Sequence, residues 1–393
     1  MSGMQELEYG KAHSRRGGRV ITRSKPMHIV QILPELDQGG VERGTVEVNR
    51  ELVRRGHDST VISAGGKLVR QIEAEGGKHI ALDVCSKNPL TVPFRTRALR
   101  ARLQALRPDI LHARSRVPAW LSHFANKKPR IPFVTTVHGL NSVNPYSRIM
   151  TSGDTVICVS EVVRDHIIRH YGTDIQKVRV IQRGVDMNIF DPGKVDHGKV
   201  RDLRNRYELN GRLVVSSVGR ITWLKDYETF IHAISLVRKK IPHVAGLIVG
   251  GYRQDKAEYF ESLAQRVAEK RLEKNLFFVG SQEDMVSIYA SSDMVVNASL
   301  KMGNMGRTVV EALALGKPVI ATTFEGLTNL VVDGRNGFVI KNKDPLGLAD
   351  AILETANASF DANSIRSGIP YDYTLDCMVR QLLKVYGALG AKQ

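Results

Sequence analysis

Short apolar runs alternate with amphipathic stretches along most of this chain. In the first half, apolar residues recur at helical spacing between positions 41 and 55, and brief continuous apolar runs flank that segment. These runs predict strands at 28–33, 59–63, 110–112, 133–137, 155–159 and 178–181. Because strands that alternate with helices form parallel sheets covered on both faces, this half predicts a doubly wound α/β domain.

A polar region between Arg183 and Arg212 interrupts this alternation, which then resumes. The second half predicts strands at 213–218, 245–249, 276–279, 294–297 and 319–321, with helices at 226–240, 258–270 and 308–315. The length of 393 residues also exceeds what one ordinary core accommodates. We therefore predict two Rossmann-like domains that face each other across a cleft, with ligands beyond the carboxyl ends of the strands.

The same pattern sets the expected domain boundaries. Residues 1–25 form a basic tail without apolar periodicity, for which we predict disorder. The predicted arrangement continues with a first domain at 26–185, a linker at 186–211, a second domain at 212–370 and a C-terminal helix at 371–393. We expect this last helix to pack back on the first domain.

The formal charge of +17 points to an anionic partner. Between Lys87 and Arg130, eleven lysines and arginines accompany a single acidic residue, and arginines alternate there with apolar positions at roughly helical spacing. Such a helix suits an anionic membrane surface, but an ordinary solvated helix face explains the pattern equally well. A nucleic-acid-binding module is a weaker alternative, because these basic residues lack interleaved aromatic residues.

The chain carries no apolar run near the roughly 20 residues that a membrane-spanning helix requires, and no signal-like segment at its start. Its three cysteines, Cys85, Cys158 and Cys377, are scattered singly, as expected for reduced packing residues. We therefore expect a cytoplasmic protein. The basic region leaves open a peripheral contact with the inner face of the cell membrane.

Two cations follow the first predicted strand of the second half. Arg220 comes directly after Gly219, and Lys225 follows five residues later at the predicted start of a helix. An arginine can bind a pyrophosphate bidentately, a lysine acts as a point charge, and a helix N-terminus adds unpaired N–H groups. Two surface cations on an already basic protein are the simpler interpretation when this pair is taken alone.

A glycine-punctuated loop precedes the predicted helix at 308–315. Gly303 and Gly306 free the backbone for close approach to a ligand, and the helix N-terminus favours an anion. Glu311 lies inside that helix, where a carboxylate close to a phosphate-binding loop can accept hydrogen bonds from ribose hydroxyls. The alternative is that Glu311 is an ordinary solvent-facing glutamate.

The first half offers a matching set of residues. Gly39 and Gly40 precede a helix that begins near Glu42, and His138 follows the predicted strand at 133–137. The glycines allow a sugar to approach the backbone, and a neutral histidine can donate or accept one hydrogen bond to a hydroxyl. A lone histidine is more often structural, so His138 carries little weight by itself.

Taken together, these motifs resemble the family-four retaining glycosyltransferases of the GT-B fold. The resemblance covers roughly Met27 to Val332 and is closest in look to bacterial enzymes that build lipopolysaccharide core or related surface glycans. Its matching segments are QGGVERGTVEVNRELVRRGH, TTVHG, CVSEVVRDHIIRHYG, VIQRGVDMNIFDP, SVGRITWLKDYETFI, GRTVVEALALGKPVIAT and EGLTNLVVDGRNGFVI. These segments are specific in combination, although none is decisive singly.

The resemblance implies roles for the candidate residues of the second half. In that family, the positions that match Arg220 and Lys225 bind the donor diphosphate and support the leaving group. The position that matches Glu311 holds the donor ribose. The backbone amides that approach the diphosphate and sugar are those at Gly306, Arg307 and Thr308.

The resemblance also implies roles in the first half. The loop of Gly39 and Gly40, which leads into Glu42, lies across the cleft from the donor, and His138 lies beside the transferred sugar. Family members commonly work without a bound metal, so we expect none here. Two cations would then neutralise the charge of the leaving group.

One position departs from the family pattern. The family signature has two glutamates separated by seven residues, and counting back eight positions from Glu311 reaches Gly303. In the family that first carboxylate contacts hydroxyls of the donor sugar, so its replacement implies altered donor choice, slower transfer or no transfer. Glu325, Asp284 and Asp293 are the candidates to compensate in space.

The sequence therefore predicts a retaining glycosyltransferase that uses a nucleotide-diphosphate sugar, with UDP favoured, to transfer a hexose or an N-acetylhexosamine. The expected acceptor is a lipid-linked or lipopolysaccharide-type glycan in surface glycan biosynthesis. The alternative is a homologue that keeps the fold and nucleotide binding but has lost transfer, and acts as a partner in a membrane glycan assembly. No nucleic-acid partner is expected.

Overall fold

The computed structural model describes residues 25–37, 39–252, 254–300, 306–323 and 330–391. Within these ranges the chain forms two parallel sheets, each covered by helices on both faces. We call the domain with the first sheet the N-terminal domain and the domain with the second sheet the C-terminal domain. The predicted pair of Rossmann-like domains is thereby confirmed, whereas almost all of the predicted basic tail lies outside the described residues.

The sheet of the N-terminal domain has seven strands. Their bounds are β1 His28–Ile32, β2 Asp58–Ser63, β3 Lys78–Ala81, β4 Ile110–Ala113, β5 Phe133–Val137, β6 Thr155–Cys158 and β7 Val178–Val180. The helices of this domain are α1 Gly40–Arg54, α2 Val69–Ala74, α3 Val92–Leu106, α4 Arg116–Ala125, α5 Pro145–Arg148 and α6 Glu161–Tyr171. The strand order is β3-β2-β1-β4-β5-β6-β7, and β3 is an edge strand that the apolar pattern did not predict.

The C-terminal domain repeats this plan with six strands. One helix, α7 His197–Arg206, lies in the predicted linker before this domain. It contacts the domain through Arg204, whose side chain donates to the Ser291 carbonyl at 2.8 Å. The strands are β8 Leu213–Val218, β9 Val244–Val249, β10 Leu276–Gly280, β11 Met294–Asn297, β12 Val319–Thr322 and β13 Gly337–Ile340, in the order β10-β9-β8-β11-β12-β13. The helices are α8 Tyr227–Val237, α9 Ala257–Glu269, α10 Met285–Ser291, α11 Arg307–Ala314, α12 Pro345–Asn357 and α13 Ala362–Ser367.

The last helix, α14 Leu375–Gly390, returns to the N-terminal domain. Its buried residues pack against Ile29, Val48 and Leu52, and the Tyr386 hydroxyl lies 2.7 Å from His112 Nδ1. Where this helix begins, the Leu375 amide donates to the Val185 carbonyl at 2.9 Å. The chain therefore passes between the two domains twice, at adjacent points.

Each sheet has one point at which the strand order reverses. The strand order reverses direction between β1 and β4 in the N-terminal domain and between β8 and β11 in the C-terminal domain. In doubly wound sheets, ligands bind beyond the carboxyl ends of the strands at this reversal. The loops after β1, β4, β8 and β11 are consequently the first places to look for a site.

The basic helix α3 uses its apolar face inside the protein. Leu99 and Leu103 are fully buried in the core of the N-terminal domain, which corrects the view of this face as free to meet a membrane. Leu90 and Phe94, near the start of the helix, are instead 80% and 77% exposed. Among the helices of the described chain, none is both long and apolar enough to cross a bilayer.

Candidate active site

The loop after β8 is shaped by two glycines at neighbouring strand ends. Gly219 has a φ of +157°, and Gly250, at the end of β9, has a φ of +155°. A Cβ atom on Gly250 would lie 1.9 Å from the Gly219 carbonyl oxygen, so only glycine allows the two loops to pack this closely. Beyond this contact, Arg220 is exposed, while Lys225 turns back and its Nζ donates to Ser299 Oγ at 3.1 Å.

We call Arg220 and Lys225 the C-terminal cation pair. Burial of the Lys225 ammonium, together with the positive charge of Arg220, lowers the pKa of Lys225 to about 8. No carboxylate of a described residue forms a salt bridge with either cation. The predicted helix N-terminus beside them is not open to an anion, however, because the Asp226 carboxylate caps α8 by accepting from the Thr229 amide.

The start of α11 is the open helix terminus near this pair. Gly306 is its N-cap residue and has no side chain with which to accept a hydrogen bond from the first turn. The amides of Arg307 and Thr308 therefore have no side-chain cap, and unpaired amides at a helix N-terminus favour an anion. Gly303 lies outside the described residues, so its predicted role stays a prediction.

Glu311 is a buried carboxylate rather than a solvent-facing one. It is 3% exposed, its Oε1 accepts from Arg307 Nε at 2.6 Å, and its Oε2 accepts from the Tyr289 hydroxyl at 2.8 Å. These two contacts fix the orientation of the carboxylate. The solvent-facing interpretation is thus wrong, whereas the ribose-binding role stays a prediction.

Arg307 also joins the two domains. Its Nη1 and Nη2 donate to Glu47 of α1 at 2.8 Å and 2.5 Å, which makes a bidentate ion pair across the cleft. Burial alone would lower the pKa of Arg307, but Glu47 and Glu311 more than offset this effect and raise it. Glu47 is not among the predicted site residues, although a glutamate at an apolar-face position of an amphipathic helix is a usable signal.

On the opposite side of the cleft, α1 begins at Gly40, two residues before Glu42. The Arg183 guanidinium lies against this first turn and donates to the Gly40 carbonyl. A Cβ atom on Gly40 would lie 2.9 Å from Arg183 Nη1, and one on Gly39 would lie 2.2 Å from Glu42 Oε2. The structure therefore brings the predicted loop together with Arg183, which is not among the predicted site residues.

His138 lies half-buried at the carboxyl end of β5, near the same loop. Burial and the nearby charges of Arg114 and Arg183 lower the pKa of His138 well below its ordinary value. The imidazole is consequently neutral at pH 7 and suited to a hydrogen bond with a hydroxyl. Its predicted position beside a transferred sugar stays a prediction.

A cavity of about 430 Å³ lies between the domains next to the ion pair of Glu47 and Arg307. Arg43 lines it from the N-terminal domain and donates across to the Gln282 carbonyl at 3.0 Å. The C-terminal domain contributes Glu283. Charged residues from both domains therefore meet beside α1.

The acidic residues proposed to replace the carboxylate missing at position 303 are engaged elsewhere. Asp284 caps α10 through the Ser287 amide at 3.0 Å, and Asp293 accepts from the Val214 amide at 2.7 Å. Glu325 lies outside the described residues. Across the ranges that the structure covers, no three His, Cys, Asp or Glu side chains form a metal-binding group, and independence from metal stays a prediction.

Comparison with known proteins gives two family matches, one in each domain. Residues 38–189 match the family described as Glycosyltransferase Family 4, and residues 212–358 match Glycosyl transferases group 1. Together they span most of the chain.

Individual relatives and solved structures are glycosyltransferases as well, in agreement with the two family matches. A D-inositol 3-phosphate glycosyltransferase of Nocardia farcinica is 26% identical over 352 residues, which cover 83% of this chain and 75% of the relative. A glycosyltransferase structure from Rickettsia africae has a TM-score of 0.82 at 27% identity and covers 93% of this chain and 99% of that one. Anabaena HepE in complex with UDP-glucose has a TM-score of 0.80 at 20% identity, with 92% of this chain and all 100% of that one covered. The chain belongs to the glycosyltransferases of the GT-B fold, of the family-four type.

Proposed function

We propose that this protein is a retaining glycosyltransferase that moves a hexose or an N-acetylhexosamine from a nucleotide-diphosphate sugar, with UDP favoured. The observation that carries the proposal is the C-terminal cation pair. Lys225 is half-buried, and no described carboxylate pairs with it or with Arg220. Because a desolvated cation without a counterion is costly, such a group marks a site for an anionic ligand. A donor diphosphate has the required charge.

In sugar transfer, the main task of this pair would be to stabilise the negative charge of the leaving group. As the bond between the sugar and the diphosphate breaks, negative charge grows on the diphosphate and positive charge grows on the sugar ring. Arg220, Lys225 and the uncapped start of α11 would stabilise the first of these charges. A preorganised contact of this kind contributes about 3 to 4 kcal/mol to the transition state.

The expected acceptor is a lipid-linked or lipopolysaccharide-type glycan. The resemblance in sequence favours a surface glycan. The name of the Nocardia farcinica relative refers to D-inositol 3-phosphate, which adds phosphorylated compounds to the candidate acceptors. Contact with an anionic lipid surface would bring the cleft to a lipid-linked acceptor. The exposed Leu90 and Phe94, with the exposed Arg97 one turn beyond, supply apolar and positive groups for that contact.

A non-catalytic role is the alternative, and Gly303 is the observation that favours it. The sequence lacks the first glutamate of the family signature, and the described candidates to replace it are engaged in capping and backbone contacts. The substitution Gly303→Glu separates the two functions. A large gain in transfer would indicate a protein that has lost activity, whereas a loss would indicate that a glycine at this position suits a different donor.

The proposal is tested by incubating purified protein with labelled UDP-, GDP- and ADP-sugars and a lipid extract of the native membrane. Glu311→Gln is the matched control, because it keeps the volume of a buried side chain while it removes the carboxylate. We expect label in the lipid fraction from one donor class and far less with the variant. If nucleotide binds but no donor gives label, the non-catalytic alternative is correct.

A further inference from the structure

Two buried arginines on the N-terminal side of the cleft lack a carboxylate partner among the described residues. Arg114 follows β4 and is 6% exposed, and Arg183 follows β7 and is 7% exposed. We call them the N-terminal arginine pair. Their hydrogen bonds are to neutral groups, because Arg114 Nη1 donates to Gln31 Oε1 at 2.5 Å and Arg183 donates to the Gly40 carbonyl. Arg114 Nε is buried and has no hydrogen-bond partner in the described structure.

Such an arrangement is costly for a protein. A buried ion loses its hydration, and only a counterion with well-placed hydrogen bonds offsets that loss. Burial, together with the nearby charge of Arg307, lowers the pKa of Arg183 to about 10. Glu47 and Glu311 act in the opposite direction, but both bind Arg307 directly. The N-terminal arginine pair is therefore left with excess positive charge.

The backbone around this pair adds to its affinity for an anion. Arg183 lies along the first turn of α1, because Cβ atoms on Gly40 and Gly44 would each come within 2.9 Å of its guanidinium. The N-cap residue Gly39 provides no side-chain cap, so the positive end of a 15-residue helix points to the same place. Both arginines also lie close enough to His138 to affect its pKa. The missing side chains of Gly40 and Gly44 leave the space that the Arg183 guanidinium occupies, and the Glu42 carboxylate fills the corresponding space at Gly39.

We propose that Arg114, Arg183 and the start of α1 form a binding subsite for a phosphoryl group of the acceptor. A guanidinium matches two phosphate oxygens with two parallel N–H donors, and this geometry suits a phosphate better than a point charge does. The assignment to the acceptor rests on the proposed function, in which the C-terminal cation pair on the other domain binds the donor diphosphate. The subsite itself does not rest on that function.

The subsite is tested by the thermal midpoint Tm in inorganic phosphate and in chloride at equal ionic strength. For the unmodified protein we expect phosphate to raise Tm by about 2 to 4 °C. Arg220→Gln, the matched control in the opposite domain, should retain this rise. Arg183→Gln should lose it, although the glutamine amide can still donate to the Gly40 carbonyl. In chloride, Arg183→Gln should have an unchanged or higher Tm, because it removes an uncompensated buried charge.

Three outcomes would overturn the subsite. The first is an equal phosphate response in Arg183→Gln and in the unmodified protein, and the second is loss of the response in Arg220→Gln. The third is a failure of both Arg183→Gln and Arg114→Gln to fold, which would show that the arginines serve only the structure.

A parallel titration with UDP separates the subsite from the proposed function. UDP should stabilise the unmodified protein and Arg183→Gln but not Arg220→Gln. If UDP has no effect on any of the three while the phosphate pattern holds, the proposed function fails and the subsite stands. A soluble sugar phosphate and a vesicle carrying a lipid-linked sugar phosphate should each compete with phosphate, and the one that competes at lower concentration identifies the source of the phosphoryl group.

Discussion

The two cation pairs on opposite sides of the cleft are built in different ways. The C-terminal pair comes from one loop after β8, with Arg220 exposed and Lys225 half-buried. The N-terminal pair comes from the ends of β4 and β7, and both of its guanidinium groups are more than nine-tenths buried. The short spacing of the first pair made it visible in the sequence. The second pair could be recognised only after the fold brought the two strand ends together.

This difference has an energetic consequence. An exposed cation costs little in the absence of its ligand, whereas a buried one without a counterion destabilises the folded protein. We therefore expect substitution of the exposed Arg220 to affect transfer and leave stability unchanged. Neutral substitutions in the N-terminal pair should affect acceptor binding and leave stability the same or higher.

The largest expected effect is that of Lys225→Ala. Removal of one preorganised contact to the leaving group should lower the rate of transfer roughly a hundred- to a thousandfold, with the fold intact by circular dichroism. The control is Lys274→Ala, which removes an exposed lysine of the same domain. Full activity of purified Lys225→Ala would refute its assignment to the diphosphate.

The ion pair between Glu47 and Arg307 connects the two sides of the cleft, and breaking it tests whether they act together. Glu47→Gln leaves a buried guanidinium short of one partner, so the free energy of unfolding should fall by about 3 kcal/mol in urea denaturation. The double variant Glu47→Gln with Arg307→Met should lose less than the sum of the two single losses, although Arg307→Met also leaves the buried Glu311 without its arginine. Glu51→Gln, on the same helix but paired within its own domain, is the matched control. Additive effects in the double variant would show that the pair is not coupled.

The pH dependence of UDP binding gives a smaller effect that is specific to the C-terminal pair. Burial lowers the pKa of Lys225 to about 8, so the free protein loses this charge as the pH rises through that value. Bound diphosphate favours the protonated lysine, and the affinity for UDP should therefore fall above pH 8, by up to about tenfold for each pH unit. Lys225→Arg should remove this dependence. A flat profile for the unmodified protein would mean that Lys225 does not contact the diphosphate.

The smallest expected effect concerns cations outside both pairs. Arg97 is exposed on α3 near Phe94, and its contact with anionic lipid is worth about 1 kcal/mol. Arg97→Gln should therefore reduce flotation with anionic vesicles about fivefold. Arg335→Gln, an exposed arginine of the C-terminal domain, should have no effect. Equal and negligible binding of the unmodified protein to anionic and neutral vesicles would refute the proposed contact with a membrane surface.

Most of the fold could be predicted from local pattern, because continuous apolar runs are typical of strands buried on both faces. The strand β8 was predicted at its observed bounds, Leu213–Val218. The strand β3 was missed because it is a four-residue edge strand, KHIA, with two exposed and two half-buried residues and no continuous apolar run. The helix α3 was correctly predicted to be amphipathic, but its apolar face packs in the core.

The site could be predicted only in part. Arg220, Lys225 and Glu311 were found because each lies in a short motif next to a strand or a glycine loop. The partners of Glu311 were not predicted, because they come from other elements of the fold. Tyr289 donates to Glu311 itself, and Glu47 accepts from Arg307, the arginine that binds Glu311. Charge pairing across domains depends on tertiary distances that no local pattern carries.

The most direct test of the account is steady-state transfer from a UDP-sugar to a phosphorylated lipid-linked acceptor, with the two KM values measured separately. We predict that Arg220→Gln impairs use of the donor and that Arg183→Gln raises the acceptor KM at an unchanged donor KM. If the unmodified protein binds UDP but transfers no sugar from any donor, the central claim of glycosyl transfer is contradicted.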